Sequence, residues 1–295
     1  MRVKVFAKLN LTLGVGARRG EFHPIDSVAT SMDIYDVVEV VPRSDTQILV
    51  NDLPQIAMDH NSAYRAAVAF QAAFSTLGVD IAIEKGIPYG GGLGGSSADA
   101  AAVTYCMCKL FGVDEHSDVV HELCAKLGSD VNFMLFGGIG RLQGKGDEVT
   151  FSTLAKPLYF ALTTFDCSMS SGEVYSAFDK IFDKKPCFPT PYSLFSTPDG
   201  EKLIDLLSDG DNGRAIRMLS NDLQQATASI SNYADRYLTF VQSNGLRCNM
   251  TGSGSAYYVT CETLTEAERI AKLLNSNGFV TTVCKSVSSG IEELH

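Results

Sequence analysis

Between Gly90 and Gly95, five of six residues are glycine, and the run continues through Ser96-Ser97-Ala98-Asp99 into an alanine-rich segment. Few architectures use that much backbone without side chains between a strand and a helix. The segment before it, Val79–Lys85, reads as a strand, and a helix is expected from about Ser97 to Leu110. Ser96 followed by Asp99 has the spacing of a capping box. The loop would then open onto a helix N-terminus, where unpaired N–H groups gather with a dipole equivalent to about half a positive charge. Glycines remove the Cβ atoms that would hold phosphate oxygens away. The arrangement points to a phosphate cradle, with a flexible turn as the plainer alternative. A Walker A loop needs a lysine after its last glycine, and there is none here. Gly90, Gly92 and Gly95 do match G-x-G-x-x-G. However, Pro88 intervenes after the strand, and Asp114 and Glu115 introduce a helix rather than end a second strand, so the dinucleotide fold fits poorly.

The first segment alternates. Val3, Val5, Ala7, Leu9, Leu11, Leu13 and Val15 share one face, and Lys8, Asn10 and Thr12 share the other. Period two predicts a strand with one buried face. On pattern alone the polar face is a solvated one, although a lysine and an asparagine one pleat apart also make a candidate site. Further strands are expected at residues 27–43 and 46–52. A helix capped by Asn61 and stopped at Gly78 follows. Another helix ends at Gly128, and residues 137–152 read as a hairpin. A soft boundary falls near 150–160, a proline-broken loop covers 183–200, and helices are expected at 200–207, 212–230 and 234–243. The remainder reads β-β-α-β, suiting an α+β sandwich.

The 295 residues are 45% hydrophobic, enough for one large or two medium domains. With 24 Lys+Arg against 34 Asp+Glu, the net charge of −10 argues against nucleic-acid binding, which needs a basic face. A single small nucleotide needs only a local positive pocket. The eight cysteines, Cys106, Cys108, Cys124, Cys167, Cys187, Cys248, Cys261 and Cys284, lack zinc spacing and read as free thiols in a reducing compartment. Lysines interrupt the apolar pattern of the N-terminus, and no apolar run reaches membrane-spanning length. A cytoplasmic protein without membrane or nucleic-acid partners is expected.

The loop Pro88-Tyr89-Gly90-Gly91-Gly92-Leu93-Gly94-Gly95-Ser96-Ser97-Ala98-Asp99 resembles the phosphate loop of the GHMP small-molecule kinases. Residues 7–15, 127–138 and 250–258 resemble that superfamily's first strand, middle acidic motif and third glycine-rich motif. Within it the chain most resembles the 4-diphosphocytidyl-2-C-methyl-D-erythritol kinase family, through Lys8-Leu9-Asn10-Leu11, Arg18-Arg19-Gly20-Glu21-Phe22-His23, Gly128-Ser129-Asp130-Val131-Asn132-Phe133 and Asn221-Asp222-Leu223. The resemblance spans nearly the whole chain. It implies an α+β, two-domain GHMP kinase fold. An ATP-binding domain over residues 1–155 resembles ribosomal protein S5 domain 2, and a ferredoxin-like α/β sandwich covers 156–295.

The resemblance also implies roles. Asp130, which by itself reads as a capping aspartate, becomes the general base, with Lys8 beside it. Pro88, Tyr89, Gly90, Gly91, Gly92, Leu93, Gly94, Gly95, Ser96, Ser97 and Ala98 would hold the phosphates of ATP, with Lys85 and Asn61 near the adenine. Asn10, Phe22, His23 and Tyr175 would bind a CDP-linked polyol: Phe22 and Tyr175 stacking on the cytosine, His23 bonding its polar edge. Residues Thr251 to Ser255 would approach the phosphates or close the pocket floor. Mg²⁺ should accompany ATP, with Asp130 and Ser97 the candidate ligands and no metal site assigned. Glu21, Ser96, Ala98 and Asn132 depart from the family's usual pattern. Phosphorylation of homoserine or a mevalonate-type alcohol, or silent nucleotide binding, are the alternatives.

Overall fold

The computed structural model describes residues 1–51, 58–167, 169–182 and 199–294. Its spine is the antiparallel pair β1 (Arg2–Val15) and β2 (Ile25–Pro42), in register from Arg2↔Glu39 to Val15↔Ile25 with shifts between Phe6 and Ala7 and between Asn10 and Thr12. The second shift makes Leu11 an extra residue on β1. Val3 through Leu11 on the alternating face belong to one hydrophobic core, whereas Leu13 and Val15 belong to the other. The polar face is not solvated, contrary to what the alternation favours: Lys8, Asn10 and Thr12 are all buried. Chain from both halves covers that face, and bulges of this kind commonly re-aim side chains beside functional sites.

Around the first half of β2 lies β5 (Ile139–Gly144), which forms the expected hairpin with β6 (Glu148–Ser152). Along its second half lies β4 (Val79–Glu84), joined in parallel by β3 (Ile48–Asn51). Helices α1 (Ser62–Phe74), α2 (Gly95–Phe111), α3 (Asp118–Leu127) and α4 (Val131–Phe136) pack together over this layer, α2 resting on β1 and β2. Small buried side chains on α2 (Ala98, Ala100, Ala101, Ala102) permit that close approach. Helix α1 ends at Phe74 rather than running to Gly78, because Ser75 turns left-handed at its C-cap. Gly78 serves a different need: a Cβ there would sit 1.8 Å from the carbonyl oxygen of Gln47.

In the second half, β7 (Tyr159–Thr163) lies between β10 (Tyr257–Cys261) and β11 (Thr281–Val287), all antiparallel, with β9 (Asn249–Met250) outside β10. Strand β11 also pairs with β2, and β12 (Ile291–Leu294) with β1, so one sheet path joins the two halves. Helix α5 (Ser171–Phe182) precedes α6 (Gly200–Ser208), and α10 (Leu264–Asn275) packs on β7, β10 and β11. The single helix expected over 212–230 is instead α7 (Asn212–Ile216), the short strand β8 (Ser220–Asn221) and α8 (Gln224–Ile230), followed by α9 (Asn232–Ser243). Tertiary bonds break it: β8 pairs with β1, Asn221 Nδ2 donates to the carbonyls of Met250 and Gly252, and Asp222 accepts from the Val15 N–H. Most of the proline-broken segment, and Cys187 within it, lies outside the described residues. The other seven cysteines are free, as expected. Among the described residues, no helix is long and apolar enough to cross a membrane.

Candidate active site

The bulged stretch of β1 supplies the first two site residues. Lys8 Nζ donates to Asn10 Oδ1 at 2.5 Å and lies 3.6 Å from Asp130 Oδ2. Asn10 is fully committed: its Oδ1 also accepts from the Gly252 N–H, and its Nδ2 donates to Ser27 Oγ. Asn10 therefore fixes the ammonium from one side while tying β1 to the loop of residues 251–254. Asp130 precedes α4, yet its side chain makes no capping bond. The carboxylate instead stays partly exposed and turned to Lys8.

The glycine loop lies against both halves. Ser255 and Ala256 donate backbone N–H groups to the carbonyls of Gly90 and Gly91, and Lys8 donates its backbone N–H to Leu93. Two glycines are required by geometry. Gly92 has φ +73° and a Cβ there would lie 2.4 Å from the Thr251 carbonyl oxygen. Gly94 has φ +76° and a Cβ there would lie 2.1 Å from Met134 Cε and 3.0 Å from Lys8 Cγ. The expected capping box does not form. Helix α2 starts two residues earlier, with left-handed Gly94 as its cap and no side-chain cap bond. Its first intrahelical bond runs from Ala98 N–H to Gly94 O, so the amides of Gly95, Ser96 and Ser97 precede the helical ladder. Ala98 is a correction: its side chain is buried in the core and its N–H is used within the helix, so it offers nothing to an anion.

Asp99, free of the box, turns inward to Lys85. Lys85 Nζ donates to Asp36 Oδ2 at 2.5 Å and to Asp99 Oδ2 at 2.8 Å. Asp36, wholly buried on β2, also accepts from the N–H groups of Gly86 and Ile87, which fixes the strand-to-loop corner. Two buried carboxylates thus share one ammonium. Burial pushes the Asp99 carboxyl up to about 7; Lys85 pulls it down, but the nearby Asp36 works against that. Its Oδ1 has no hydrogen-bond partner. Lys85 also lies 5.3 Å from the centre of the exposed Tyr89 ring. Asn61 caps α1 through the Tyr64 N–H and lines the same cavity, so a capping role and a site position coincide.

Opposite the loop, His23 is stacked on Tyr175 at 5.3 Å and 21° and meets Phe178 edge-on. Both imidazole nitrogens face oxygens: Nδ1 lies 2.9 Å from Gly16 O and Nε2 lies 3.1 Å from Asp179 Oδ1. The expectation that this ring bonds a base edge therefore meets a ring whose two nitrogens already face protein oxygens. Phe22 is more open, with Lys145 Nζ 4.8 Å from its ring centre. Burial, with Asp130's charge adding, pushes the Tyr175 phenol up to about 12.

These groups share one cavity of about 970 Å³. Lys8, Asn10, Phe22, His23, Asn61, Lys85, Pro88 through Ser97, Asp130 and Tyr175 all line it, and Ala98 does not. Sequence reasoning missed Asp36, Asp179 and Lys145, which lie far along the chain from the motifs they serve or read as ordinary surface charge; Arg18 stands in the motif before His23 but without an assigned role. Asn132, one of the departures, is buried and bonds the His121 carbonyl on α3, away from the cavity.

Residues 61–138 match the GHMP kinases N terminal domain and residues 203–279 the GHMP kinases C terminal domain. The 4-diphosphocytidyl-2-C-methyl-D-erythritol kinase of Cutibacterium acnes is 34% identical over 85% of this chain and 83% of its own length. That of a Nocardioides species is 31% identical over 92% of each. A crystal structure of 4-(cytidine 5'-diphospho)-2C-methyl-D-erythritol kinase superposes with TM-score 0.76 at 26% identity, covering 97% of this chain and all of the other. Homoserine kinase from Cytophaga hutchinsonii superposes with TM-score 0.73 at 16% identity over 99% of this chain and 96% of its own, a likeness of fold alone.

Proposed function

Because the chain belongs to the GHMP kinases, which use ATP as phosphoryl donor, we propose that it transfers the γ-phosphoryl group of ATP to the 2-hydroxyl of 4-diphosphocytidyl-2-C-methyl-D-erythritol. The observation that carries this reading is one cavity in which the Lys8–Asp130 couple adjoins both the glycine loop and the His23–Tyr175 stack. The ATP-binding half is assigned to residues 1–155 and the second half to 156–295.

In this reading Asp130 takes the proton of the 2-hydroxyl as that oxygen attacks the γ-phosphorus. The bond from γ-phosphorus to the β–γ bridging oxygen breaks, and ADP leaves with the electron pair. The ammonium of Lys8, 3.6 Å from Asp130 Oδ2, offsets charge on the transferring oxygens. The amides of Gly95, Ser96 and Ser97 and the glycine backbone hold the phosphates. Phe22 supplies an aromatic face for the base. Among the described residues, no cluster of three or more His, Cys, Asp or Glu could by itself hold a metal. Ser97 and Asp130 offer the sparse oxygen set that suits Mg²⁺ bound chiefly through phosphates. Bound with ATP, Mg²⁺ would neutralise part of the polyphosphate charge.

The test is ADP release with three alcohols supplied separately: the CDP-linked methylerythritol, homoserine and mevalonate. Turnover of the first alone is expected. Turnover of homoserine or mevalonate in its place overturns the substrate and leaves the fold standing.

A further inference from the structure

Asp179 sits on α5 four residues, about one helical turn, beyond Tyr175, so both side chains project from the same face of that helix. Its carboxylate reaches across to the turn between β1 and β2, where Oδ1 meets His23 Nε2 at 3.1 Å and Oδ2 lies 3.6 Å from Arg18 Nη1. The other nitrogen of His23 is held by the Gly16 carbonyl, and the flat of the ring rests on Tyr175. Both ring nitrogens thus face protein oxygens and one face of the ring rests on Tyr175, with the partners drawn from two separate segments of chain. Asp179 joins those segments together with Tyr175 and Phe178, and is the one of the three that does so through a carboxylate.

We infer that Asp179 is a positioning residue for base recognition: it acts through His23, holding the ring against Tyr175 so that this side of the cavity, which Phe22 also lines, is formed before the substrate arrives. This rests on the proposed CDP-linked substrate. Asp179 touches neither the phosphate loop nor the Lys8–Asp130 couple through any contact described above, so its effect should fall on one substrate and not the other. A preformed wall spares the substrate the cost of ordering side chains on binding.

Steady-state kinetics of Asp179→Ala, Asp179→Asn, His23→Ala and the His23→Ala/Asp179→Ala double variant test this. In Asp179→Ala the KM for the CDP-linked substrate is expected to rise about tenfold, while kcat and the KM for ATP stay within about twofold. Asn should restore most of the loss, because its amide can donate to or accept from Nε2. In the His23→Ala background the Asp179 change should add nothing, the mark of two residues acting as one unit. An unchanged KM, an additive effect in the double variant, or a parallel loss in both substrates' constants would each overturn the inference. Asp179→Leu, which keeps the bulk but not the oxygens, keeps the test valid should Asp179→Ala fold poorly. A parent enzyme that does not turn over the CDP-linked substrate contradicts the proposed function, and this inference with it; a parent that does, with Asp179→Ala unaffected, contradicts the inference alone.

Discussion

Lys8 Nζ and Asp130 Oδ2 lie 3.6 Å apart, the lysine buried on a bulged strand and the aspartate partly exposed ahead of a short helix it does not cap. That separation exceeds hydrogen-bond distance but keeps the two charges in direct electrostatic contact. Lys8 is anchored by Asn10 instead, so the carboxylate remains available to a substrate hydroxyl.

Asn10 is the anchor on which this depends. Asn10→Ala leaves the partly buried Gly252 N–H unpaired and takes from the buried Lys8 ammonium its hydrogen-bond acceptor. A stability loss of about 1–3 kcal/mol is expected, chiefly for the lost bond to the buried charge. Thermal unfolding and kcat should fall together, with kcat lower by at least about tenfold because a displaced cation no longer meets the transferring oxygens. A folded variant with parental kcat would contradict the anchoring role.

The two constrained glycines should differ when replaced. Gly92→Ala drives a Cβ into the backbone of Thr251, which cannot yield, whereas Gly94→Ala meets the flexible end of Met134 and then the Lys8 stem. Both also carry the strain of a left-handed alanine, roughly 1–3 kcal/mol. Gly92→Ala is expected to lower Tm more; Gly94→Ala is expected to lower kcat more for its loss of Tm, since it pushes on Lys8. Calorimetry and initial rates on both variants decide the ranking.

Phe22 is the open aromatic face of the base-binding side. Stacking of a base on an aromatic side chain is worth about 1–3 kcal/mol, so Phe22→Ala should raise the KM of the CDP-linked substrate about 5- to 150-fold and leave the KM for ATP unchanged. Equal losses for both substrates would place the base elsewhere.

Beneath the loop, Asp99 makes stability depend on pH. Unfolded, it titrates near 3.8; folded, burial raises it to about 7. Between those values the folded chain holds a proton that the unfolded chain has released. Stability from this group therefore falls as pH rises across that window and levels off above it. Asp99→Asn removes the titration, so its Tm relative to the parent should improve between pH 5 and pH 8, by the equivalent of about 2–3 kcal/mol. A gap that does not move with pH would contradict the assignment.

What the sequence reveals about this site is mostly local. The glycine loop, the alanine-rich helix behind it and the hairpin at 139–152 are set by neighbouring residues, and all three are legible. Roles that need distant partners are not. Asp36 and Lys85 are 49 residues apart, and each alone reads as a surface charge. Asp99 has the spacing of a cap and becomes instead a buried partner of Lys85, because the glycine at 94 takes the cap by turning left-handed. Lys8 and Asn10 read as a solvated face until the glycine loop and Asp130 close over Lys8 and the loop of residues 251–254 closes over Asn10. Asp130 looks like a capping residue, and only the resemblance to GHMP kinases singles it out. The break at β8 was hidden for the same reason: the bonds of Asn221 and Asp222 run to strands remote in sequence.

The most direct test of the account is single-turnover phosphoryl transfer by Asp130→Asn, with ATP binding measured on the same preparation. Loss of a positioned base predicts transfer slower by about 10²–10⁴-fold with ATP affinity kept within about threefold. Transfer at the parental rate would contradict the role of Asp130, and with it the chemistry placed in this cavity.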